Sequence, residues 1–186
     1  MAGSSETDVN EINIPCTPCE KLEWFRTKFR PHFDEWVFGP IDRLTPSRDA
    51  LIGFVFMACA IDYLAGFRWG ASTEKNVKKA YTGFIEEFFP VGRYDADGLY
   101  DSLRNGLVHM FTIKNKKYGL VHNKSDLHLK SDKAGHLILN AEDFRNDLVS
   151  AKERYFETVE SQPDRLDKLV QRYDRDGFLE AWPLEL

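Results

Sequence analysis

The stretch PSRDALIGFVFMACAIDYLAGFR, residues 46–68, decides the fold. It is apolar nearly all round, with Asp62 the single acid inside the apolar part. A helix that is hydrophobic on every side must be covered on every side. The stretch is therefore expected to be the central helix of a bundle, with Thr45 and Pro46 supplying a cap-then-proline start. Its longest unbroken apolar run, Ala50–Ile61, is shorter than the roughly 20 residues a bilayer requires, so no membrane association is expected.

Helical periodicity extends outward on both sides. Thr17, Pro18 and Glu20 form a capping box with proline at the first helical position. Leu22, Phe25, Phe29, Phe33, Trp36 and Val37 then recur at spacings of three and four. Pro31 predicts a kink or two shorter helices, and Gly39-Pro40 an end. A third helix, about 73–89, has Ser72 as its cap and buries Val77, Tyr81, Phe84, Ile85 and Phe88. A fourth, about 97–112, buries Leu99, Leu103, Leu107 and Phe111. The period then changes to that of short strands: 117–122, 127–129 and 136–139 read as a hairpin or meander. Asn140 caps a fifth helix reaching about residue 160, and Pro163 opens a last one. The expected architecture is mainly α, an up-and-down bundle of about five or six helices with a small β-hairpin or meander insert near 117–139. Residues 1–15 read as a disordered tail and 16–186 as one domain. The aromatic set Trp24, Phe25, Phe29, Phe54, Phe56, Phe88 and Phe89 reads as core.

The net charge of −5 argues against a protein that coats nucleic acid indiscriminately. Cys59 lies in the apolar run and reads as a small buried hydrophobe. Cys16 and Cys19 form a lone Cys-x-x-Cys with no second Cys or His pair at metal-ligand spacing, so neither a metal nor another cofactor is expected. An odd cysteine count and the absence of a basic-then-apolar N-terminal pattern suggest a cytoplasmic protein.

The segment Arg104-Asn105-Gly106-Leu107-Val108-His109 carries the chemistry. A neutral imidazole can take the proton of a ribose 2′-OH, and a guanidinium can neutralise charge building on phosphate oxygens. On a regular α-helix five residues turn through about 500°, which leaves Arg104 and His109 roughly 140° apart. Asn105 and His109 are four apart and share a face, so Asn105 is the expected hydrogen-bond partner of the imidazole. Arg104 would have to reach round a helix end or meet His109 from a second subunit. Gly106 makes the local backbone permissive.

Two further features bear on this segment. Between Met110 and Asn140 six lysines stand against two aspartates, and His122, His128 and His136 lie in the same stretch. Lys114, Lys116, Lys117 and His122, with Tyr118 as a stacking surface, can hold a polyanion such as RNA. Equally, the lysines can simply guard the edges of a solvated hairpin. Asp62 is either the partner that positions the Arg104 guanidinium or an acid at the wet end of its helix; both readings stand open.

The segment 103–109 resembles the signature of the HEPN superfamily: an Arg, four to six residues, then a His, with a polar residue directly after the Arg. Asp62 resembles the acidic or polar position that members carry on an earlier helix, and the resemblance spans about residues 46–160 in outline. It implies a metal-independent endoribonuclease that leaves a 2′,3′-cyclic phosphate and a 5′-hydroxyl, in a toxin or defence setting. It further implies Arg104 as phosphate binder, His109 as acid/base and Asn105 as its orienter. A homodimer that brings two motifs to one cleft, and an antitoxin-like protein partner, belong to the same expectation. Some members instead bind nucleotide, RNA or protein without turnover.

Overall fold

The computed structural model describes residues 16–177 except 71, 72, 74, 115 and 116. The expected tail 1–15, the Ser72 cap and Lys116 lie outside the described residues. The chain is mainly helical with a small β insert. Among the described residues six long helical runs can be distinguished: α1 (18–44), α2 (Ala50–Trp69), α3 (Val77–Phe88), α4 (96–108), α5 (Ala141–Ser161) and α6 (Pro163–Asp176). Two strands, β1 (Tyr118–Val121) and β2 (Leu137–Asn140), lie between α4 and α5.

Helix α2 packs against all five other helices. Among the described residues it is the one helix long and apolar enough to cross a membrane, and 61% of its most apolar window is buried inside the protein. Its apolarity is thus accounted for by the bundle. The burial is not complete, however. Leu51, Ile52, Phe56 and Cys59 form an outward stripe at helical spacing, with Phe56 41% exposed. Phe56 is therefore not core, and Cys59 is an exposed free thiol rather than a buried one. The expected start at Thr45-Pro46 also shifts. Thr45 is buried and its hydroxyl donates to the Ile41 carbonyl at 2.7 Å, closing α1, and α2 begins after Asp49.

The Thr17–Glu20 capping box starts α1. The run then passes through both Pro31 and Gly39-Pro40 without ending. Each proline follows a widened turn, Phe25–Phe29 and Asp34–Phe38, in which the backbone bonds span five residues. Widening moves the preceding carbonyl away from the pyrrolidine ring, so the helix absorbs a residue that would otherwise break it. The buried faces of α1, α2 and α5 meet in an aromatic core. Phe29 sits edge-on to Phe67 at 5.0 Å, and Phe25 to Phe156 at 5.2 Å.

The insert is present, but β1 and β2 run parallel, with Tyr118 opposite Leu137 and Val121 opposite Asn140. Residues 122–136 supply the long connection that a parallel pair needs. Within them a 3₁₀ turn, Ser125–Leu127, occupies the expected middle strand. Residues 129–131 line the other edge of β2 in antiparallel sense, with Leu129 N–H donating to Ile138 O at 2.7 Å. His128 ties the insert to the bundle. Its Nδ1 accepts the Asn140 N–H at 3.1 Å, and its Nε2 meets Tyr94 Oη at 3.0 Å. Tyr94 in turn donates to Asp147 Oδ2 at 2.6 Å. The ring is therefore neutral with its proton on Nε2. Asn140 stands at the start of α5, but its Oδ1 accepts from Lys124 N–H at 2.9 Å rather than from the helix.

Candidate active site

Helix α4 opens on Asp95, whose carboxylate accepts the Gly98 N–H at 2.9 Å. Burial of Leu99, Leu103 and Leu107 against the bundle fixes which way the helix faces. From Tyr100 to Val108 the backbone is π-helical. Each ring of hydrogen bonds then spans five residues instead of four, so side chains five apart take the neighbouring positions that i and i+4 hold on an α-helix. This overturns the geometry expected for a regular helix. Arg104 and His109 converge within one chain, with Arg104 Nη1 2.7 Å from His109 Nε2.

The guanidinium is held on three sides. Nε and Nη2 donate to Asp62 Oδ2 at 3.3 and 3.0 Å. Nη1 donates to Asn105 Oδ1 at 3.2 Å as well as to His109. The cation also lies over the Tyr100 ring at 5.6 Å. Of the two open readings of Asp62 the first holds: it pairs with Arg104 from inside its helix, seven residues before the end, and is partly exposed there. Asn105 is placed differently from expectation. It bonds the guanidinium, so it orients Arg104 rather than the imidazole. Because arginine only donates, the Nε2 lone pair accepts from it, which assigns a neutral His109 with its proton on Nδ1. His109 itself is exposed. Behind the cluster Tyr81 is completely buried, and burial with the nearby Asp62 charge pushes its phenol well above the ordinary range.

Gly106 serves packing rather than flexibility. A Cβ there would lie 2.4 Å from Thr112 O and 2.8 Å from Lys114 N, because the chain folds back over the end of α4. Thr112 N–H closes that turn onto Gly106 O at 3.2 Å, and Phe111 adopts a left-handed φ of 53° to allow it.

Of the expected RNA-holding residues that are described, only Lys114 adjoins the motif segment. Lys114 is exposed close to Gly106. Lys117 forms an ion pair with Asp95. Tyr118 is core, with 4% of its surface exposed, so it offers no stacking face. His122 is exposed on the insert and bonds Asn123. Sequence reading missed the groove that does adjoin the cluster. It has a volume of about 730 Å³ and is lined by Asp62 and Arg104 together with Trp36, Phe56, Tyr63 and Arg172. Helical spacing alone assigns Trp36 and Phe56 to hydrophobic faces, whereas in the packed bundle both are partly exposed. Among the described residues no group of three or more His, Cys, Asp or Glu is placed to hold a metal ion. No protein-family model, curated protein or solved structure matches the chain.

Proposed function

We propose that the chain is a metal-independent endoribonuclease of the HEPN type, with Arg104 and His109 as its working pair. The observation that carries this reading is the 2.7 Å contact between Arg104 Nη1 and His109 Nε2, with Asp62 anchoring the far edge of the same guanidinium. A scissile phosphate entering beside Arg104 draws Nη1 to its non-bridging oxygens, which frees the Nε2 lone pair. Nε2 takes the proton of the ribose 2′-OH, and O2′ attacks phosphorus. The P–O5′ bond breaks, the 5′ oxygen takes a proton from water, and His109 returns its own proton to the solvent. The products are a 2′,3′-cyclic phosphate and a 5′-hydroxyl. The guanidinium stabilises the added negative charge on phosphorus. Both groups lie on one chain, so a partner motif is not needed to assemble the pair. A homodimer in the cytoplasm remains part of the proposal: Val108, Met110 and Phe111 flank His109 and expose apolar surface on which a second copy can sit.

The test is incubation of purified protein with RNA in EDTA, alongside His109→Ala and Arg104→Ala. We expect cleavage by the parent and a loss of at least about 10³-fold in each variant. Cleavage retained by both variants, or none by the parent, would sink the proposal. A second reading, a module that binds RNA or nucleotide without turnover, is favoured by one observation: the Nε2 lone pair is already occupied by Arg104. Binding without products, unaffected by His109→Ala, identifies it.

A further inference from the structure

The groove that adjoins Arg104 runs along α2. Val55, Phe56, Cys59 and Tyr63 of that helix line it, with Trp36 of α1 beside them. Trp36 and Phe56 are each 41% exposed, and Ile52 and Leu51 carry the open stripe on toward the start of α2. Gly177, the residue directly after α6, also lines the groove. Helix α6 runs antiparallel to α2, since Lys168 packs on Gly70 and Arg172 on Gly66. Continued in that register, Asp176 comes level with Asp62, and its charge does act on the Tyr63 phenol. The α6 axis at Gly177 therefore points along the groove toward Phe56. Phe56 stands six residues before Asp62, about 9 Å along the α2 axis, and Leu51 about 17 Å. Five extended residues span about 17 Å.

The sequence beyond Gly177 is Phe178-Leu179-Glu180-Ala181-Trp182-Pro183-Leu184-Glu185-Leu186. Six of these nine side chains are apolar, and there are two acids and no cation. The change from Gln171-Arg172-Tyr173-Asp174-Arg175-Asp176 is abrupt. We propose that residues 178–186 turn back along α2 and occupy this groove in their own chain, with Phe178 and Trp182 against Cys59, Phe56 and Trp36. Seated there, the segment covers the groove side of the Asp62–Arg104 pair. The match rests on apolar surface, on reach, and on the point where the chain leaves α6. Arg104 and Arg172 keep the carboxylates they already hold. A tethered segment acts at an effective concentration on the order of millimolar, which favours it over a separate molecule.

The experiment reads Cys59, a free thiol in the groove that a seated segment shields. The full chain with Cys16→Ser and Cys19→Ser keeps it as the only thiol, and its alkylation by N-ethylmaleimide is followed by mass spectrometry. We expect Trp182→Ser to speed alkylation about tenfold, which corresponds to about 1.4 kcal/mol of docking. Trp36→Ser, on the groove side, should speed it similarly, and the two together no more than either alone. Melting temperatures measured in parallel separate uncovering from unfolding. A rate that neither substitution changes overturns the assignment. So does a parent rate that falls as protein concentration rises, because the groove then seats a second copy. With Ala181→Cys added, a short bismaleimide should join residues 59 and 181 within one chain, about tenfold more slowly once Trp182→Ser removes the anchor. Links that form only between chains count against an occupant from the same chain. No RNA is present in these measurements. A protein that cuts none therefore keeps the docked segment, and His109-dependent cleavage with alkylation unmoved keeps the ribonuclease reading alone.

Discussion

At the scale of single residues, Arg104 is the most connected group in the site. Asp62 takes two of its donors, so the carboxylate works through the guanidinium. We expect Asp62→Asn to keep the fold, because the site is partly open to water, and to lower kcat for RNA about tenfold with KM little changed. A variant with full kcat removes Asp62 from the positioning role. Gly106 tests the geometry differently. With a Cβ directed at Thr112 O and the Lys114 amide, Gly106→Ala must push the 112–114 segment off the end of α4. We expect a loss of about 1–3 kcal/mol in urea unfolding, accompanied by loss of cleavage. The need for a residue without Cβ could be suspected from the sequence; the reason for it could not, since Thr112 approaches only through the chain's return over the helix end.

At the scale of elements, the widened turn of α4 and the His128 junction matter most. The π-helical run over Tyr100–Val108 places residues five apart side by side, and this register decides whether the motif is a site. Sequence periodicity does not report it, because Leu99, Leu103 and Leu107 satisfy an ordinary helix equally well. His128 joins β2, the start of α5 and the 94–147 hydrogen bond. Burial lowers its pKa below the ordinary 6.5; Arg93 also lowers it, while Asp143 and Asp147 oppose the shift. The neutral ring is thus the form the fold selects. Its contribution to stability is complete above the unfolded value and is lost as pH falls through the lower, folded value. Protonated Nδ1 would also face the Asn140 N–H, donor against donor. We expect the urea midpoint to fall on going from pH 7.5 to pH 5 and His128→Gln to flatten that dependence. Parallel pH profiles for parent and variant rule the junction out as the sensor.

At the scale of the whole molecule, α2 organises the bundle and Lys152 cross-links it. Lys152 of α5 is buried, pairs with Asp34 of α1 and with Glu153 at 2.9 Å, and lies 4.6 Å over the Phe38 ring. Its long stem fills space as well as carrying charge. We expect Lys152→Ala to cost about 2–4 kcal/mol and Lys152→Met, which keeps the volume, to cost less than about 1 kcal/mol. Equal losses in the two variants would show that the charge, rather than the packing, holds α1 against α5.

The helical class, the central place of 50–69, the capping box at Thr17 and the insert before α5 were all legible from periodicity and local cap chemistry, which depend on residues near in sequence. So was the interest of Asp62, because charge inside an apolar pattern needs a partner, and that of Arg104 and His109, because their side chains suit proton transfer and phosphate binding. Tertiary structure decided the rest. It placed Pro31 and Pro40 inside a continuous helix, turned the expected hairpin into a parallel pair, and put Tyr118 in the core and Phe56 and Cys59 at the surface. It also brought Arg104 to His109 within one chain. These outcomes depend on backbone register and on which neighbours cover which face, quantities set by contacts between distant segments.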